Sequence, residues 1–402
     1  MSTQNIQNAP LKRVSALKAS LTATVTAVLL LNSQSALADQ GEKYGIEFQC
    51  TDQYTSYHID RYLSSQGIKG SWVFPERTSN GWIYKIKKKH EVSNTLDIVK
   101  SEKFAVSADL VEILDPRRQP KLVATVSKKE ILLAMLHPGR LTTFKGTKCG
   151  VEALKDDVGV RQNTVAWAQD VAFSWPEGTP ATWNTKYWLN GTPKNKETLH
   201  EALTDATINS SQYGIGCYTA AKMILATGSL DYYTRVKKDI FKAKQVEMAL
   251  WSNGDPLVDI EPGRAWFFES TFKESSKSIP GKILDMKDNV APNNFIPGDW
   301  IYLLNTDAKS YQKTGYEGSN AIYLGLGKFS DYYNDHEHSF SFQQKSNEVY
   351  QWRNGVFSRS RDAAKVKPLK AEDYERLRQS PENGGILLAH RLIPRPLHPA
   401  VR

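Results

Sequence analysis

Apolar and polar residues alternate along Trp82-Ile83-Tyr84-Lys85-Ile86-Lys87, the signature of a half-buried strand. The short runs WVFPER (72–77) and KLVATV (121–126) read as strands too. Ser107–Leu114, Lys128–Leu136 and Val158–Val171 are predicted to be helices, the second closed by His137-Pro138-Gly139. Glu201–Ile208 precedes a polar loop, Asn209–Gly214. A helix rich in Ala, Met, Ile and Leu then opens at Cys217 and is predicted to end at Gly228. FIPGDWIYLL (295–304) reads as a turn feeding a strand. Ala321–Gly325, His338–Phe342 and Tyr350-Gln351-Trp352 follow as three more strands. This mixture predicts an α+β fold.

The first 38 residues form a different pattern. Residues 1–18 carry Lys12, Arg13 and Lys18 and no acid. Leu21–Leu31 is uncharged, and Ala36 and Ala38 make an A-x-A site before Asp39. Basic, apolar and small-residue regions in that order predict a secretory leader, cleaved to give a secreted or periplasmic chain that starts at Asp39. The apolar run is too short for a comfortable membrane span, so no stable membrane anchor is expected. Beyond it the predicted organisation is an N-terminal α+β module (39–150), a connector holding Trp167, Trp175, Trp183 and Trp188 (151–200), a C-terminal domain (201–393) and a basic, Pro-rich tail (394–402).

The 402-residue chain is 40% hydrophobic and 24% charged, which excludes a largely disordered, collagen-like or multi-span membrane protein. Without the leader's three bases, 49 Lys and Arg face 43 acids, a modest excess. The basic run Lys85–Lys89 is read as a solvated strand face, and no nucleic-acid partner is expected. There are three cysteines, too few for a disulfide scaffold and an odd number for an oxidising compartment. A Cys50–Cys149 bridge would leave Cys217 unbridged, although the other pairings are open from sequence.

Cys217 is the residue that points to chemistry. A helix N-terminus stabilises negative charge, and so favours the nucleophilic thiolate. Its unpaired N–H groups can also hold an oxyanion. Strands downstream carry His338, with His336 as its competitor, and Asn320. A helix-borne cysteine followed by strands that bear a histidine is the layout of papain-like folds. Cys217 as nucleophile, His338 as base and Asn320 as the polar group that orients the histidine or polarises the carbonyl make a consistent set. His336 and His338 with Asp331, Asp335 and Glu337 form a weaker metal-ligand cluster. No Walker loop, Rossmann fingerprint or H-E-x-x-H occurs, and no cofactor is expected.

SQYGIGCYTAAKMIL (211–225) and FIPGDWIYLLNTDAKSYQKTGYEGSNAIYLGLGKF (295–329) resemble the bacterial protein-glutamine γ-glutamyltransferases of the spore-coat type. The resemblance implies a papain-like, NlpC/P60-related core at roughly residues 205–360. It also implies acyl transfer between glutamine and lysine side chains of proteins, with Cys217 at the nucleophile's position. The family's G-E-N acid falls at Ser319 of Gly318-Ser319-Asn320, a second acid falls at Gly216, and the family histidine aligns with His338. Glu317 stands two residues from the missing carboxylate. Two rival expectations are an NlpC/P60-type peptidoglycan amidase or endopeptidase acting on peptidoglycan peptides, and a non-catalytic secreted binding module that keeps the fold.

Overall fold

A computed structural model describes most of residues 43–394. Residues 1–42, 253–283, 288–293, 357–366, 373–388 and 395–402, and shorter stretches that include 317 and 335–337, lie outside the described residues. The predicted leader, the tail, His336 and Glu317 therefore fall outside them.

Two sheets carry the fold. The first has the order β2-β3-β1-β6, from β1 (Gly45–Gln49), β2 (Val73–Thr78), β3 (Gly81–Ile86) and β6 (Leu141–Lys145). Here β1 runs parallel to β6 and antiparallel to β3. The second has the order β13-β12-β11-β10-β14-β9 and is antiparallel throughout. Its strands are β9 (Leu284–Lys287), β10 (Trp300–Leu304), β11 (Gly318–Gly325), β12 (Lys328–Ser330), β13 (Ser339–Ser341) and β14 (Ala389–Pro394). Helices α1 (Thr55–Ser65), α2 (Lys128–Leu136), α3 (Val151–Asp170), α4 (Leu199–Ile208), α5 (Cys217–Asp231), α6 (Ile240–Ser252) and α7 (Phe342–Trp352) accompany them.

One apolar cluster runs from Ile46 and Phe48 of β1 through α2, α3, α4 and α5 to Ile322 and Leu324 of β11. The far face of the larger sheet packs Ile301, Leu303, Ala321, Tyr323 and Phe329 against Phe342, Val349 and Trp352 of α7. Helices α3 and α5 cross closely. A Cβ on Gly228 would stand 2.1 Å from the Thr164 hydroxyl, and Asn163 Nδ2 donates to the Gly228 carbonyl at 2.9 Å.

Gly228 therefore sits inside α5, where a close helix contact requires it, and does not end the helix. Two other elements differ from the pattern reading. Asp109–Leu114 is a strand, β4, paired with β5 (Pro120–Thr125) rather than a helix. Its Val111 and Ile113 point to one face, against Trp167 and Ile208, as period-2 alternation requires. Residues 350–352 are the last turn of α7 and not a strand. Phe342, Lys345, Ser346, Val349 and Trp352 are buried at helical spacing.

A buried ion cluster joins distant segments. Asp299 accepts from Arg140 Nη1 at 2.7 Å and from Arg161 Nη1 at 2.9 Å, and Arg161 Nε also reaches Asp157 at 3.1 Å. Asp299 further accepts from the Ile296 N–H at 3.0 Å, which closes the Pro-Gly-Asp turn at the head of β10.

The cysteines divide as one of the open pairings has it. Cys50 and Cys149 form a disulfide, with Cα atoms 5.6 Å apart across 99 residues, and Cys217 takes no part in it. Among the described residues no helix is long and apolar enough to cross a membrane.

Candidate active site

Cys217 is the first residue of α5 and is partly exposed. Gly216 before it is extended, at φ −72° and ψ 162°, and its carbonyl accepts the first helical bond, from the Ala220 N–H at 2.9 Å. Gly216 has no side chain with which to cap this end, and the first-turn N–H groups have no partner within the helix. The space beside Gly216 is open: a Cβ there would meet nothing within 4 Å.

The loop that delivers Cys217 is fixed from several sides. The Ser174 N–H donates to the Tyr213 carbonyl at 2.9 Å, the Thr182 N–H to Gly214 at 2.8 Å, and Tyr333 Oη to Ile215 at 3.0 Å. Tyr213 is fully buried and donates its hydroxyl to Asp205 at 2.6 Å, where Asn184 and Asn209 also donate. Trp175 packs edge-on against Tyr333 and Trp183 against Tyr213. Trp175 and Trp183 thus brace the segment just before the cysteine.

Beneath α5 lies the larger sheet. In the β10–β11 register Tyr302 faces Asn320 and Trp300 faces Ile322. Residues 300, 302, 320 and 322 therefore share one face, while Ile301, Leu303 and Ala321 belong to the opposite one. Asn320 Nδ2 donates to the Cys217 sulfur at 3.4 Å, and its Oδ1 accepts from Trp300 Nε1 at 2.9 Å. The Trp300 ring lies 5.3 Å from that of Tyr218, over which the buried Lys222 ammonium sits at 4.2 Å. Tyr332 is also enclosed here. Burial, with smaller contributions from Cys217 and Asp331, raises its hydroxyl well above the usual tyrosine range, so at neutral pH it is a donor and not a base.

The alternation separates the sequence candidates. Asn320 is brought to the sulfur, in contact with the thiol itself. Ser319, the position of the acid implied by resemblance, is one residue out of phase with Asn320. His338 is exposed and precedes β13, its carbonyl accepting from the Asp331 N–H at 2.7 Å. Phe340 of β13, the register partner of Phe329, belongs to the sheet face away from Cys217, and His338 stands outside that strand, one residue before it. Of the metal-ligand cluster, residues 335–337 lie outside the described residues. Among the described residues no group of three His, Cys, Asp or Glu side chains converges.

A sequence model for protein-glutamine gamma-glutamyltransferase matches residues 114–339, more than half of the chain and the stretch that contains Cys217, Trp300 and Asn320. The chain belongs to the protein-glutamine gamma-glutamyltransferase family. Among solved structures, this transglutaminase-family chain is similar to the transglutaminase from Geobacillus stearothermophilus without its C-terminal extension. Identity is 18%, covering 61% of this chain and 91% of that one, with a TM-score of 0.32. No curated protein matches the sequence significantly.

The residue that the pattern reading passed over in this family member is Trp300. Its signal was present in the alternation of Trp300-Ile301-Tyr302, which already divides the strand into two faces. What the sequence lacked was the register that sets Trp300 diagonal to Asn320.

Proposed function

We propose that the protein is an exported thiol acyltransferase in which Cys217 attacks the side-chain amide of a protein-bound glutamine. Sulfur bonds to the amide carbon, the C–N bond breaks, and ammonia departs with the thiol proton. The resulting thioester is then attacked by a lysine ε-amine, which forms an isopeptide bond and restores the thiol. The N–H groups at the start of α5 are suited to the oxyanion of both tetrahedral steps. Asn320 has no titratable group. Its role in this reading is to donate to the thiolate and favour the charged form.

The observation that carries the reading is the hydrogen bond from Asn320 to a thiol at a helix N-terminus, in a chain of the transglutaminase family. Export is supported by the leader pattern and is compatible with the disulfide. His338 is left out of the device in this reading because it is exposed and stands outside β13.

The test couples ammonia release to incorporation of a fluorescent primary amine into a glutamine-bearing protein. The mature, oxidised protein should do both, Cys217→Ala neither, and His338→Ala should retain both. No ammonia from the wild type would refute the reading. Release of muropeptides instead would favour the peptidoglycan hydrolase, and binding unchanged by Cys217→Ala the non-catalytic module. N-terminal sequencing of the exported chain should begin at Asp39, and a start at Met1 would refute cleavage.

A further inference from the structure

We propose that Trp300 is a positioning residue for the thiol: its indole N–H fixes the Asn320 side-chain amide so that the nitrogen end, and not the oxygen end, faces Cys217. The inference rests on the reading of Cys217 as a nucleophile. A primary amide has two ends of nearly equal size and opposite hydrogen-bonding character. Nitrogen toward the sulfur stabilises a thiolate, whereas oxygen toward it sets lone pairs against negative charge.

Trp300 makes that choice. An indole nitrogen only donates, so the atom 2.9 Å from Nε1 is the amide oxygen, and Nδ2 is turned to the sulfur at 3.4 Å. Rotating the amide by half a turn would set two donors against each other at Trp300 and an acceptor against the thiolate at Cys217. Trp300 is 1% exposed, so water does not readily replace the lost acceptor. The ring is itself braced by Tyr218, the residue after the cysteine. The helix that bears the sulfur thus also holds the group that orients the sulfur's partner.

The experiment is a pH series of iodoacetamide alkylation of Cys217, read by peptide mass mapping. It compares the oxidised wild type, Trp300→Phe, Asn320→Ala and the double variant. Trp300→Phe keeps most of the ring and removes the N–H. Wild-type Cys217 should reach half-maximal reactivity below about pH 8.5, the value of an ordinary thiol. Trp300→Phe should slow alkylation at pH 7 by about three- to tenfold and move the profile to higher pH, the range expected on losing one ordinary hydrogen bond. Asn320→Ala should do the same, and the double variant should lose no more than Asn320→Ala alone. A purely packing role for Trp300 would lower the melting temperature, leave the pH profile in place and make the two losses independent.

Should Trp300→Phe fail to fold, the 15N resonance of the Trp300 indole provides a second reading. It should move in Asn320→Ala, which removes the acceptor, and move less in Asn320→Asp, which retains one. An indole resonance unmoved by Asn320→Ala overturns the inference. So does a reactive wild type with Trp300→Phe alkylating at the same rate. A wild-type thiol no more reactive than an ordinary one overturns the nucleophile reading first, and the inference with it.

Discussion

Glu130 makes stability depend on pH in a direction opposite to that of most carboxylates. It lies in α2, where Oε1 accepts from the Leu326 N–H at 2.7 Å, while Oε2 is buried without a hydrogen-bond partner among the described residues. Burial pushes the carboxyl up from 4.5 to about 7, against a smaller downward pull from the Leu326 N–H. Below about pH 4.5 both folded and unfolded chains hold the proton, and the full contribution to stability is present. As pH rises the unfolded chain ionises first, and stability falls until the folded group also ionises near pH 7. That interval corresponds to about 3 kcal/mol, at about 1.4 kcal/mol per tenfold change in proton concentration. Glu130→Gln keeps the shape and the acceptor and removes the ionisation. Urea unfolding at pH 4.5 and pH 8.5 should show the variant gaining about 2–3 kcal/mol on the wild type between the two. The comparison cancels His137, whose burial lowers its pKa and makes stability rise with pH. Equal pH dependence of variant and wild type would refute the account, and would mean that water or rearrangement relieves the carboxylate.

Three further outcomes follow from the same geometry. Asp231 is held down at about 2: burial works to raise it, but bonds from His200 and Arg235 outweigh that. Its contribution is present above about pH 4 and is lost as pH falls toward 2, so Asp231→Asn should flatten the acid limb of a thermal-stability profile. Asp299→Asn leaves Arg140 and Arg161 buried with one counter-charge fewer and should cost about 3–5 kcal/mol in urea titration. Replacing Cys50 and Cys149 by alanine should cost about 5 kcal/mol in the loop-entropy account, measured by the same titration under oxidising conditions.

The elements whose local pattern and tertiary surroundings agree were legible in the sequence. Lys128–Leu136 is a helix as its period and its Pro-Gly stop predict. FIPGDWIYLL is a turn and a strand because Pro and Gly punctuate it and alternation follows. Asp109–Leu114 was misread because six residues with two acids fit either period, and only pairing with β5 and the face offered by Trp167 decide for a strand. Tyr350–Trp352 misled because large rings favour strands, while the helix that holds them begins earlier, at Phe342. At the site, Cys217 was legible from its place at a helix start and Asn320 from its place in a strand. The contact between them was not, since it depends on a strand register formed across residues far apart in sequence.

The Cys50–Cys149 disulfide closes a loop that contains the β4–β5 turn, where Arg117 and Arg118 stand exposed. Outside a cell that turn is a natural target for basic-residue proteases. A cut there opens the chain but releases neither piece, because each holds one half of the bridge. Glu130 and Arg140, which meet Leu326 and Asp299 in the larger sheet's half of the core, lie on the Cys149 side of the cut and stay tethered through the bridge to Cys50, next to β1. Resistance to shedding is thus built into the covalent connectivity, independent of how fast the turn is cleaved.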